Sequence, residues 1–214
     1  MSFTTNAAEQ VDGLTSSVAR RIKSRGDTDK LLPPILVLKS TVDATVSNDA
    51  VLDKLMLQLA PNRHELVLFD INRFAANSSL LVADPGPFTR RLIEEKQLAF
   101  GLTLVANTRP STREVSAWHK VPFASSVSHI EHLPYTWPPG VFSLSHVALP
   151  FPPDDPLYGA QAPSNKRELF LGQQALQGER DGLQIPASFL LRLRHNPFYD
   201  YLQSRVVSWV ETPR

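Results

Sequence analysis

The sequence predicts an α/β chain with a mostly parallel sheet flanked by helices, and three observations carry that expectation. Two apolar runs, Pro34 to Lys39 and Glu65 to Phe69, show no polar alternation. Such runs suit strands covered on both faces, as in parallel sheets. A segment of helical spacing lies between them. The order strand, loop, helix, strand is that of a right-handed βαβ unit.

Each element has its own signal. From Ala7 to Ile22, the residues Val11, Leu14, Val18 and Ile22 recur at steps of three, four and four, which predicts an amphipathic helix. The polar link SRGDTDK, with its glycine, ends it. The strand Pro34 to Lys39 runs into Ser40–Val46, a turn-rich stretch holding one carboxylate, Asp43. Asn48 is placed to cap a helix over Asp49–Ala60, where Val51, Leu52, Leu55, Met56 and Leu59 keep one face apolar. Pro61 and Asn62 close it before the second strand, Glu65 to Phe69.

Beyond that point the pattern loosens. Pro87 to Gln97 reads as helix, Ala99 to Ala106 as strand and Thr108 to Pro122 as polar loop. Val141 to Ser145 reads as a short strand leading into His146. At the far end Asn196 caps a helix, Pro197 takes its first position, and Phe198, Leu202, Val206 and Trp209 form its apolar stripe.

Composition excludes several function classes. Hydrophobic residues make up 42% and charged residues 20% of 214, ordinary values for a soluble globular chain. Twenty-two basic against 21 acidic side chains leave a formal charge of +1, which gives no case for nucleic acid or an acidic membrane. With no cysteine there is no thiol nucleophile, disulfide scaffold or thiolate-bound metal. The longest apolar stretch, Leu31 to Leu38, is eight residues with two prolines, too short to span a bilayer. The amino terminus lacks the apolar core of a signal peptide. A soluble, cytoplasmic domain is expected. Nine glycines, never as GxGxxG or GxxxxGK, exclude phosphate-cradling loops of those kinds and leave no cofactor implied. Eight of the 18 prolines fall between Pro134 and Pro163, so that region should be extended loop.

Two residues could carry chemistry. Ligands in open α/β sheets lie beyond the carboxyl ends of the strands. Asp43 stands there after the first strand, and His146 follows a later one. Either residue alone is more often structural. In the order acid then histidine they match the last two members of a Ser…Asp…His triad.

Other sets are weaker. His129 and His132, with His119 ten positions earlier, would share a metal only on a helix, which Pro122 and Pro134 oppose, so no metal site is expected. Asp154–Asp155 suits a cation or, more simply, a capped solvated loop. Ser143 and Ser145 stand too near His146 along a strand to be activated by its ring. Trp118, Tyr135, Trp137 and Phe142 suit either a pocket wall or packing, and packing is the commoner fate.

Ser143–Gly159, SLSHVALPFPPDDPLYG, resembles the histidine-bearing loop of bacterial α/β-hydrolases related to esterases and lipases. Leu36–Val46, LVLKSTVDATV, is similar to the acid loop of that family, a strand followed by S-x-x-D-x-x-V. Arg194–Asp200, RHNPFYD, suits the same subgroup. The likeness covers most of Pro34–Glu211, tightly at the two loops and loosely between them. It implies a partial α/β-hydrolase fold in which Asp43 is the triad acid and His146 the general base. The imidazole would take a serine proton and return it to the leaving group of a small ester-like substrate. The carboxylate would fix the tautomer and stabilise the imidazolium.

The departures from that pattern shape the remaining expectations. The G-x-S-x-G nucleophile elbow, which precedes the acid in the family, is absent. The chain is therefore expected to be a single domain over 1–214, the carboxyl-terminal portion of a hydrolase domain, inactive alone. Asp43 and His146 stand 103 positions apart (146 − 43), where one helix and strand need about 30 residues. Residues 71–139 are expected to be an insertion or cap-like segment. Without its neighbour the strand at 35–38 would be an open edge, which predicts homo-oligomerisation through it. The alternative is a non-enzymatic α/β binding module in which Asp43 and His146 are structural.

Overall fold

A computed structural model describes residues 5–25, 32–43, 46–74, 84–144, 148–164, 169–171 and 192–212. Helix α1 spans Thr5–Arg25 and precedes strand β1, Leu36–Ser40. Helix α2, Asn48–Lys54, gives way to a 3₁₀ turn at Met56–Gln58 rather than running on to Ala60. Strand β2 is Glu65–Phe69, helix α3 Gly86–Glu94 and strand β3 Gly101–Asn107. Strands β4, Glu114–Lys120, and β5, His129–Thr136, follow. Two short strands, β6 (Ser143–Leu144) and β7 (Arg192–Leu193), pair in parallel, and helix α4 covers Tyr199–Glu211.

The main sheet has the order β1-β2-β3-β4-β5. Strands β1, β2 and β3 are parallel, whereas β4 and β5 are antiparallel to their neighbours. The fold is thus α/β with a mixed sheet, which corrects the expectation of a mostly parallel one. The cause lies in the connections. Residues 108–113 join β3 to β4 in a tight return closed by Thr108 N–H on the Glu114 carbonyl at 2.8 Å. A parallel crossover needs a dozen or more residues, so this link can only reverse the chain. Residues 71–139, read as an insertion, supply α3 and three of the five strands.

The sheet is covered on both faces. Leu66, Leu68, Leu102 and Leu104 meet Leu52 and Met56 on the α2 side and Leu92 of α3, with Ile22 of α1 packed at the margin. Val67, Phe69, Val105, Val115 and Ala117 meet Leu144, Leu193 and, from α4, Tyr201 and Leu202. This two-faced burial is why β2 reads as an unbroken apolar run, and all five of its residues are buried.

Strand β4 contradicts the polar loop expected over Thr108–Pro122, because its polar residues are satisfied inside the fold. Ser116 Oγ lies 3.0 Å from His132 Nδ1, and His119 Nδ1 lies 3.0 Å from Thr103 Oγ1. Lys120 Nζ caps the last turn of α3 through the carbonyls of Leu92 (3.0 Å), Ile93 (2.7 Å) and Glu95. Trp118 packs on the helix face and Trp137 on the α4 face, so these two rings share no pocket.

Candidate functional site

The carboxyl ends of β1, β2 and β3 form the end of the sheet where open α/β folds hold ligands. Polar residues gather there and are deeply buried: Thr41 is 4% exposed, Asp70 5%, Asn72 0% and Asn107 6%.

The loop after β1 is stapled around Asp43. Lys39, only 4% exposed, sends Nζ to Asp43 Oδ2 at 3.1 Å and to the Val46 carbonyl. Val46 N–H donates to Asp43 Oδ1 at 3.1 Å, so both carboxylate oxygens are engaged. The Asn48 amide donates to the Thr41 carbonyl at 2.7 Å. Ser47, not Asn48, caps α2, with its Oγ accepting from Ala50 N–H at 3.3 Å. The Asn48 amide is turned to the preceding loop through Nδ2, and its Oδ1 meets no donor among the described residues.

His146 lies outside the described residues, but the chain on either side of it is well anchored. Ahead of it, Asn72 N–H donates to the Phe142 carbonyl at 2.6 Å and Asn72 Nδ2 to the Val141 carbonyl at 2.7 Å. Asn107 Nδ2 in turn holds Asn72 Oδ1 at 3.1 Å. Ser40 Oγ, three residues before Asp43, donates to the Leu144 carbonyl at 3.2 Å, two residues before His146. A turn with Gly140 at φ 72° delivers the segment, closed by Val141 N–H on the Pro138 carbonyl at 3.3 Å.

Beyond His146 the loop is held by the RHNPF segment. Asn196 N–H donates to the Phe151 carbonyl at 2.8 Å and Asn196 Nδ2 to the Leu149 carbonyl at 3.3 Å. Its Oδ1 accepts from Phe198 N–H at 2.9 Å, just ahead of α4, which starts at Tyr199 rather than at Pro197. His195 Nδ1 lies 3.2 Å from the Tyr158 carbonyl. A carbonyl only accepts, so this nitrogen carries the proton. Burial pushes the His195 imidazole below its ordinary range, against the raising effect of that hydrogen bond. Asp155 Oδ1 accepts from the N–H groups of Leu157 (2.9 Å) and Tyr158 (2.7 Å) and so braces the loop. Gly159 is required there by close packing: a Cβ would fall 2.4 Å from the Asp155 carbonyl oxygen and 2.6 Å from that of Pro153.

A second acid, Asp70, stands immediately past β2. Arg73 Nε meets Asp70 Oδ2 at 3.1 Å and Arg73 Nη1 meets Asp84 Oδ1 at 2.5 Å, which ties the end of β2 to the start of α3. Thr41 Oγ1 donates to Asp70 Oδ1 at 3.3 Å. Burial pushes the Asp70 carboxyl up, while the Arg73 guanidinium, the Ile71 N–H and the Thr41 hydroxyl hold it back. With its oxygens committed to Arg73 and Thr41, Asp70 acts as a strut under the acid loop. The position rule that singled out Asp43 applies equally to Asp70, so the signal was present in the sequence. Asn72 and Asn107 carried none, since what buries them is their pairing with each other and with the distant Val141 carbonyl.

The histidine pair takes no part. His129 and His132 lie on β5, where a separation of three puts side chains on opposite faces. His129 stacks on His119 at 5.8 Å, whereas His132 meets Ser116. Among the described residues, no group of three or more His, Cys, Asp or Glu side chains could hold a metal ion, and no helix is long and apolar enough to cross a membrane. Protein-family models, curated proteins and solved structures give no match to this chain.

Proposed function

We propose that this chain carries the acid and base of a serine-hydrolase site acting on ester-like substrates, with Asp43 as acid and His146 as general base. The nucleophile and its oxyanion hole come from outside this sequence, so the chain alone is inactive. The observation that carries the reading is the Ser40 Oγ hydrogen bond to the Leu144 carbonyl. It joins the strand leading to the acid with the segment leading to the histidine, at the sheet end where ligands bind. The anchoring of Phe151 and Leu149 by Asn196 supports the same reading, because a general base must be held in one position.

A second reading has an observation of its own. Lys39 and Val46 already engage both oxygens of Asp43. That is enough to close a loop in a non-enzymatic module. One experiment separates the two: imidazole nitrogen spectra of His146 in the wild type and in Asp43→Asn. The hydrolase reading expects the tautomer and ring signals of His146 to change when its acid is removed. Ring signals that stay the same in a folded Asp43→Asn protein would end that reading.

A further inference from the structure

We propose that a cleft at the amino ends of β2 and β3 binds a small monoanionic carboxylate with an apolar body. The cleft measures about 270 Å3 and lies where β2 begins at Glu65 and β3 at Gly101, beside Arg205 and Trp209 of α4. Asp43 follows the opposite end of the parallel neighbour β1, and the argument is independent of the hydrolytic reading.

Two guanidinium groups line the cleft, and the protein holds both in place. Arg63 stacks on the Trp209 ring, 4.5 Å from its centroid, and its Nη2 donates to the Trp209 carbonyl at 2.9 Å. Arg205 precedes Trp209 by one turn of α4, so the two side chains are neighbours on one helix face. Arg205 Nη2 donates to both carboxylate oxygens of Glu65, at 2.7 and 2.5 Å. A further link fixes that carboxylate. Thr103 gives its one hydroxyl proton to Glu65 Oε1 at 2.6 Å, so in its 3.0 Å contact with His119 Nδ1 the imidazole is the donor. Both oxygens of Glu65 are thus engaged, and its charge is matched by Arg205.

Arg63 has no such counter-ion: among the described residues no carboxylate pairs with it. A guanidinium offers five N–H donors, and the protein accepts from Arg63 only at Nη2. Nη1 of Arg63 and of Arg205 meets no acceptor among the described residues, and Nε of each is buried without one. Lys120 also lines the cleft, but its ammonium is spent on the carbonyls of Leu92, Ile93 and Glu95. One guanidinium without a counter-ion suits a single negative charge. Its planar fork matches the two oxygens of a carboxylate. The remaining wall sets the body of the ligand. Val121, Pro122 and the Trp209 ring are apolar, and Val121 is 55% exposed at this surface. The volume is below that of sites for drug-sized ligands, which fits a single ring or a short branched chain.

Benzoate is the probe, and benzamide, a neutral molecule of nearly the same shape, is the control. Benzoate should shift the Trp209 indole N–H resonance to saturation in the millimolar range. Benzamide should bind roughly ten- to a hundredfold more weakly, the worth of a hydrogen bond to a charged group. Arg63→Gln should weaken benzoate by a similar factor and leave benzamide unchanged. A benzoate shift that grows linearly without saturating, or that benzamide reproduces, overturns the proposal. So does tighter binding of phenyl phosphate than of benzoate, which would make the cleft a site for phosphate esters. If Arg63→Gln does not fold, Val121→Glu decides, since an exposed position tolerates the change. The added carboxylate should abolish benzoate binding, and an unchanged affinity overturns the site.

Discussion

The two edges of the sheet are built on opposite plans. Strand β5 exposes His129, Ile130, Glu131, His132 and Pro134, and the pairing of β4 with β5 shifts register between Glu114 and Ser116. Exposed charge, a proline and an irregular ladder are the usual means of keeping an edge from pairing. Strand β1 is Leu-Val-Leu-Lys-Ser, half-buried over its first three residues and fully buried at Lys39 and Ser40. Its polar groups turn inward, to Asp43 and to the segment that leads to His146. One edge spends its polar residues on solvent and the other spends them on the interior. Where a polar side chain points therefore decides whether an edge is guarded, more than whether the strand contains one.

Substitutions along the two edges should separate these plans. The largest effect is expected at Lys39. Lys39→Met would leave the Asp43 carboxylate, 13% exposed, without its ammonium partner, at a cost of about 3–5 kcal/mol for a broken buried pair. Denaturant unfolding measures it, and a loss well under 1 kcal/mol would mean that the pair does not hold the acid loop. Asn72→Ala should cost about 2 kcal/mol, because it takes the donor from the buried Val141 carbonyl and the acceptor from Asn107. Amide exchange should then rise over 141–144 and remain unchanged on β5. A uniform rise across the sheet would place the loss in global stability instead of in that anchor. The smallest effect is expected at the guarded edge: Ile130, 39% exposed, should tolerate Ile130→Lys within about 0.5 kcal/mol. A thermal midpoint lower by several degrees would show that β5 is buried against something in solution.

Much of this architecture is legible in the sequence because it rests on local pattern. The unbroken run ELVLF marks β2, Ala99–Ala106 marks β3 to within a residue or two, and helical spacing marks α1 and α3. Strand β4 escaped because Glu114–Lys120 reads as polar, and its polar atoms find partners on β3, on β5 and at the end of α3 that no window of sequence contains. The acid loop was legible from position alone, Asp43 following a strand end. Its clamp was only half so: a Lys four residues before an Asp can be seen, but its burial cannot.

The sequence by itself determined β1, β2, β3, the helices and the carboxylates past the first two strand ends, since apolar periodicity and turn residues act over a few positions. The tertiary structure decided the rest. Short links reversed β4 and β5 and made the sheet mixed. Asn72 and Asn107, silent in one dimension, became the buried pair that holds the segment ahead of His146. Lys39 turned inward and left β1 without a guard. The Asn72–Asn107 pair depends on partners tens of residues away, and in each case hydrogen-bond satisfaction and burial, rather than local preference, set the free energy.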